Sequence, residues 1–293
     1  MTDQIIKMQK FLTPVLKNLK VKFPKKRSKE IFKELYEQYP HGTDAWGLNL
    51  NAAKNALPLV WPLYKSYFNV RVFGKENVEN SEQYLITSNH SGQIAIDGML
   101  ISISMLTEFE KPRLVRAMVE RFFTKIPWIA KWSSECGAVL GDRQNCINLL
   151  KRGESVLVFP EGVSGVSKST SEYYQVQSFT RGFFRMALSS NIKILPTAVI
   201  GAEEIFPWVY QLKTVAKALN LPAIPISPCY LPLPSPVDIY YGKPYEIPKN
   251  INSDSPDEVI DIHVEKVRNE IKALIKKGLQ KRRFYPFSKK FKL

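Results

Sequence analysis

Seven short apolar runs, at residues 70–73, 84–89, 113–119, 138–140, 155–159, 192–200 and 237–241, are interleaved with stretches of helical periodicity at 98–106, 126–132, 144–152 and 181–189. Alternation of this type calls for a sheet covered by helices, an α/β arrangement. Two of the runs end in ionisable turns. Tyr84-Leu85-Ile86-Thr87-Ser88-Asn89 stops at His90, and the turn Ser91-Gly92-Gln93 leads through Ile94-Ala95-Ile96 to Asp97-Gly98. Ser155-Val156-Leu157-Val158-Phe159 stops at Pro160-Glu161-Gly162. Ligands of open α/β sheets bind outside the carboxyl ends of the strands, so His90 and Glu161 are expected to share one site.

The remaining chain reads as helical additions. Residues 28–39 predict a helix, Asp44-Ala45-Trp46-Gly47 a turn, and the stretch through Tyr67 a second helix. Near the other end Ser255-Pro256-Asp257-Glu258 has the form of a capping box. It opens a long amphipathic helix with the stripe Ile260, Val264, Val267, Ile271 and Leu274. At 293 residues the chain suits one α/β domain with such additions better than two equal domains. The expected division is a basic helical region over 1–68, the main domain over 69–250, and a C-terminal helix with a basic tail over 251–293.

The net charge of +15 is carried by the two ends. Residues 1–29 hold nine Lys or Arg against Asp3, and residues 271–293 hold nine against no acid, leaving 24 basic and 26 acidic residues between them. Like-charged ends on a near-neutral body suggest an anionic partner surface. A basic stripe on the body, which nucleic-acid binding would prefer, is missing. Between residues 5 and 20, Ile5, Met8, Phe11, Leu12, Val15, Leu16 and Leu19 fall at helical spacing opposite Lys7, Lys10, Lys17 and Lys20. Such a helix lies well in a membrane interface, though Pro14 kinks it or marks its first turn. The alternative is a helix docked on the domain with solvated lysines. The tail interleaves Lys281, Arg282, Arg283, Lys289, Lys290 and Lys292 with Phe284, Tyr285, Phe287 and Phe291, which would add lipid contact.

No signal peptide is visible, and neither long stretch without Lys or Arg reads as a span: 85–107 contains His90 and Asp97, and 218–237 holds six prolines. The expectation is a peripheral protein on the cytoplasmic face of a membrane. Cys136, Cys146 and Cys229 lack metal-ligand spacing and fit free thiols in a reducing compartment; no metal is expected.

A neutral imidazole can take a proton from a hydroxyl, and a carboxylate on its other nitrogen fixes the tautomer. Asp97 is the nearest candidate for that carboxylate; it also sits where a helix cap belongs. His90 with Asp97, the segment Gly137-Ala138-Val139-Leu140-Gly141-Asp142-Arg143, the turn Phe159-Pro160-Glu161-Gly162 and the apolar run around Pro196 stand in the order of four motifs of the lysophospholipid and glycerolipid acyltransferase superfamily. Over residues 70–245 the chain resembles that superfamily. The resemblance implies a single domain with a mixed, mostly parallel sheet flanked by helices. It implies acyl transfer from acyl-CoA or acyl carrier protein as co-substrate, without a cofactor, to a hydroxyl of a lyso-lipid or similar acceptor. It makes His90 the general base and Asp97 its orienter, assigns acceptor binding to Arg143, Glu161 and Gly162, and gives Pro196 a structural place near the acyl group.

Two departures stand out. Six residues separate His90 from Asp97 where the superfamily has four, and Val163-Ser164-Gly165 replaces the Thr-Arg-like pair of the third motif. The second removes a phosphate-binding arginine and weakens an assignment to phosphatidic-acid synthesis; Lys168, Arg181 or Arg185 are the candidates to replace it. Two other functions compete. A serine hydrolase would use Ser164, but Gly162-Val163-Ser164-Gly165 is one residue short of the nucleophile elbow. A non-catalytic lipid-binding protein would explain the basic ends but not the ionisable strand ends.

Overall fold

A computed structural model of the chain describes residues 21–91, 96–121, 128–206, 209–212, 214–215, 224–227 and 231–283. All seven expected strands form and join one sheet: β1 (Arg71–Phe73), β2 (Leu85–Ser88), β3 (Val115–Val119), β4 (Val139–Leu140), β5 (Ser155–Val158), β6 (Ile194–Ile200) and β9 (Asp238–Tyr241), in the order β1-β9-β6-β2-β5-β3-β4. Strands β6, β2, β5, β3 and β4 are mutually parallel, while β9 pairs antiparallel with β6 and parallel with β1. The sheet is therefore mixed and mostly parallel. A separate two-residue pair, β7 (Tyr210–Gln211) with β8 (Pro225–Ile226), is too short to leave a periodic signal in the sequence.

Every residue of β2, β5, β6 and β9 is buried, as strands covered on both faces must be. Their side chains alternate between two cores. Ile86, Leu157, Leu195, Val199 and Ile239 face one, with helices α1 (Lys25–Gln38), α2 (Leu50–Pro62) and α3 (Ile96–Thr107). Leu85, Val156, Ile194, Ala198 and Tyr240 face the other, with α5 (Arg143–Lys151), α7 (Gly182–Ser190) and α8 (Asp257–Gln280). Two shorter helices are α4 (Ile129–Glu135) and α6 (Val163–Val166).

Local rules explain where these elements differ from expectation. Helix α1 begins at Lys25 because Pro24 takes the cap position and its carbonyl accepts the Ser28 amide. Pro58 and Pro62 lie inside α2, which gives way to a π-helical turn at Leu63–Tyr67. The capping box expected at Ser255 does not form: α8 is capped by Pro256, and Ser255 Oγ instead accepts from the Asn252 amide at 3.0 Å. The stripe from Ile260 to Leu274 is buried as expected.

Residues 21–68 share the core of the main sheet. Arg116 on β3, with no exposed surface, donates through Nη1 to Asp44 Oδ2 (2.6 Å) and Glu154 Oε2 (2.7 Å), and Tyr39 Oη donates to the same Glu154 oxygen (2.6 Å). At the other end the basic tail is partly internal. Arg282 pairs with Glu204 at 2.6 Å and Arg283 with Asp238 at 3.0 Å, so two of its charges brace the sheet. The amphipathic pattern of residues 5–20, the tail aromatics from Phe284 on and, within 218–237, residues 218–223 and 228–230 lie outside the described residues. No helix among the described residues is long and apolar enough to cross a membrane.

Candidate active site

Parallel pairing of β2 with β5, Leu85 opposite Val156 and Thr87 opposite Val158, brings the carboxyl ends of the two strands side by side. Beyond β2 the Asn89 side chain continues the sheet by accepting from the Val199 amide (2.9 Å) and donating to its carbonyl (3.1 Å). His90 follows on this fixed edge. Its Nδ1 lies 2.7 Å from Asp97 Oδ2, and its ring stacks on Phe159 with centroids 4.0 Å apart and planes at 15°.

Asp97, in the first turn of α3, is fully buried. Its Oδ2 also accepts from the Ser91 amide at 2.8 Å, and its Oδ1 from the Gly98 amide at 2.8 Å. A carboxylate at a helix N-terminus is favoured by the backbone dipoles. With Nδ1–H donated to Asp97, the Nε2 atom of a neutral His90 is the acceptor.

The ring borders a cavity of about 770 Å³. Ala56, Leu57, Met99, Ile103, Phe183 and Met186 give it apolar walls from α2, α3 and α7. Polar groups gather along the carboxyl edge of the sheet: His90 after β2, Glu120 after β3, and Asp142 and Arg143 after β4. Arg143 is exposed at the start of α5, while Asp142 caps that helix by accepting from the amides of Gln144 (2.8 Å) and Asn145 (3.2 Å). Gly162 also lines the cavity and has φ +54°, ψ −142°, a conformation that requires glycine. Cys136 and Cys146 reach the cavity, but burial pushes both thiols up to about 12, which keeps them protonated and unsuited to nucleophilic attack.

Three of the expected acceptor-binding residues are elsewhere. Glu161, with a fully buried side chain, turns under the edge: Oε1 accepts from the His90 amide (2.9 Å) and Oε2 from the Gln177 amide (2.8 Å), with Lys168 Nζ 3.1 Å away. Lys168 is buried between Glu161 and Glu203, the latter at 3.0 Å. Burial alone would lower its pKa, but the charges of Glu203 and Glu161 outweigh it and hold the ammonium above its usual value. Arg181 clamps α8 through Asp257 and Asp261, both at 2.6 Å, and Arg185 pairs with Asp257 as well. None of these four lines the cavity. Pro196 sits inside β6 opposite Thr87 and outside the cavity lining, and Ser164 lies within α6, off the strand-to-helix turn that a nucleophile elbow needs.

Sequence reasoning missed Glu120 and Glu203. Both directly follow or closely follow the end of an apolar strand, the same signal that marked His90 and Glu161.

A histidine–aspartate pair beside an apolar cavity, on the carboxyl edge of a mostly parallel sheet, leaves an imidazole nitrogen able to take a proton. A family model described as acyltransferase matches residues 69–200, which span β1 to β6 and contain His90, Asp97 and Gly162. An uncharacterized protein of Mycobacterium tuberculosis is 30% identical over 236 residues, 77% of this chain and 66% of the relative. The chain thus spans about two thirds of the length of such relatives. A human protein described as a DGAT1/2-independent enzyme synthesizing storage lipids is 24% identical over 258 residues, 84% of this chain and 74% of that one. Among solved structures, a 1-acyl-sn-glycerophosphate (LPA) acyltransferase from Thermotoga maritima aligns with TM-score 0.49 and 18% identity, covering 89% of this chain and 99% of that chain. Residues 69–200 of the chain thus match the acyltransferase family.

Proposed function

We propose that the chain transfers a fatty acyl group from a thioester, acyl-CoA or acyl carrier protein, to a glycerolipid hydroxyl, with His90 as general base and Asp97 as its orienter. The acceptor O–H gives its proton to Nε2 as its oxygen attacks the thioester carbonyl. The tetrahedral intermediate then expels the thiolate, which takes the proton back from the imidazolium. The step needs no cofactor. The observation that carries this reading is the 2.7 Å Nδ1 to Oδ2 contact at the border of the apolar cavity, which is large enough to hold an acyl chain.

The acceptor is a neutral glycerolipid alcohol. Among the described residues the charged groups along the cavity are Arg113, Glu120, Asp142 and Arg143, a balanced set. Arg113 is buried and donates to the carbonyls of Glu79 and Glu82, and the three cations expected to replace the missing phosphate-binding arginine are engaged elsewhere. With Arg113 engaged, a phosphate monoester would meet the two carboxylates of Glu120 and Asp142 against the single exposed cation Arg143 among the described residues. The human relative's description as an enzyme of storage lipids agrees.

The protein works as a peripheral enzyme at the cytoplasmic face of a membrane, with lipid as its partner surface. Exposed Trp128 and Ile129 adjoin the cavity through α4, and exposed Ile226 adjoins it through Pro225, so the opening has apolar neighbours suited to an interface. Thioester consumption with a panel of neutral and phosphorylated acceptors tests the reading, with His90→Ala as control. Equal product from variant and wild type would reject the base, and no product from any acceptor would reject the activity.

A further inference from the structure

Beneath the edge that carries His90 lies a charge cluster outside the cavity. Glu161 follows β5, Lys168 follows α6, and Glu203 follows β6, so three separate segments converge under the end of β2. Their side chains are 0%, 4% and 1% exposed. Two bonds of the cluster fall on the backbone of the base itself: the His90 amide donates to Glu161 Oε1 at 2.9 Å, and the His90 carbonyl accepts from Lys168 Nζ at 3.2 Å. Glu203 holds the lysine from the far side at 3.0 Å and also accepts from the Tyr174 amide. Burying three ions is unfavourable, and well-packed apolar residues would serve packing alone at least as well. What apolar side chains could not do is grip the amide and the carbonyl on either side of the His90 Cα.

We propose that Lys168 and Glu203 are positioning residues for acyl transfer: together with Glu161 they fix both peptide units flanking His90, so that the imidazole meets Asp97 and the acceptor oxygen at once. This rests on His90 being the base. It reassigns Glu161 from acceptor binding to support of the base and adds two residues outside the family motifs. Displacing a base by about 1 Å costs about 10²-fold in rate, which is the scale of effect expected.

The test compares the full-length wild type with Lys168→Met/Glu203→Gln, which removes one charge of each sign while keeping side-chain size, and with Lys168→Arg, which keeps the charge and a donor. The double variant should lose about 10²-fold in kcat with KM for thioester and acceptor within twofold. Lys168→Arg should return to within a few-fold of wild type. Wild-type kcat in a folded double variant, or a loss that falls on KM instead, overturns the proposal. Should the double variant not fold, Glu203→Gln alone is read by NMR. The downfield His90 Nδ1–H resonance, which reports the bond to Asp97, should shift or exchange faster with water; an unchanged resonance overturns the proposal. The resonance needs no substrate, so a wild type inactive toward every acceptor would reject the acyl-transfer reading while this positioning test still stands.

Discussion

His90 Nδ1 and Asp97 Oδ2 are 2.7 Å apart although six residues separate them in the chain. The longer spacing is absorbed because Asp97 does not reach the ring alone. Its Oδ2 also takes the Ser91 amide, tying the start of the connection to its end. Asp97→Asn keeps the shape but turns one carboxylate oxygen into a donor, facing both Nδ1 and the Ser91 amide if it replaces Oδ2, or the Gly98 amide if it replaces Oδ1. Both Asp97→Asn and His90→Ala should lower kcat by about 10²- to 10⁴-fold with little change in KM, measured by thioester consumption. Wild-type turnover in either would remove the dyad from the mechanism.

The balanced charge along the cavity leads to a second expectation. Glu120 borders the cavity beside Gly162, its Oε1 3.9 Å from where a Cβ on Gly162 would stand. Glu120→Gln should therefore raise kcat/KM for a lysophosphatidic-acid acceptor relative to a neutral monoacylglycerol by roughly fivefold, the effect of about 1 kcal/mol between charges near water. A competition assay with both acceptors reads the ratio directly, and a ratio unmoved by the substitution would place the acceptor headgroup away from Glu120.

Much of this was legible in the sequence, and the failures share a cause. Period and composition located all seven strands of the sheet because β2, β5, β6 and β9 are buried along their length and the other three still carry short apolar runs, and His90 could be paired with Asp97 because both stand at element ends. What a linear pattern does not encode is the side of the sheet edge to which a turn residue points. Gly162 faces the cavity and Glu161, its neighbour, faces the underside with Lys168. Arg181 lies between Thr180 and Gly182, which both line the cavity, yet its guanidinium reaches α8, which is distant in sequence. The capping box failed for a local reason: Ser255 was already used by the Asn252 turn, and Pro256 took the cap.

Gly165 makes the closeness of the two strand ends measurable. A Cβ added there would stand 2.6 Å from the His90 Cβ and 2.9 Å from the Glu161 Cβ, both short branches of rigid backbone. Gly165→Ala should force these segments apart and lower kcat by at least tenfold while the protein stays folded, since overpacking costs about 1–3 kcal/mol. Circular dichroism melting together with turnover checks this. Full activity would mean that the α6 turn can withdraw from His90 without moving it.

The buried Arg116 network predicts how stability responds to acid. Burial by itself would raise the Asp44 carboxyl, but the hydrogen bond and charge of Arg116, with the amides of Leu48 and Trp46, hold it below its usual 3.8. For a depressed carboxyl the folded state binds the proton less readily than the unfolded state. Its contribution is thus fully present above pH 3.8 and is lost as pH falls through the folded value. Asp44→Asn leaves Arg116 with Glu154 as its one carboxylate partner and should cost about 3 kcal/mol at neutral pH, the low end for breaking a buried pair. The gap to wild type should narrow in acid, because protonation then removes from the wild type what the substitution removed from the variant. Urea unfolding of both proteins between neutral pH and pH 3 measures that gap. If it stays constant, the ion pair between the N-terminal turn and β3 is not what holds residues 21–68 against the sheet.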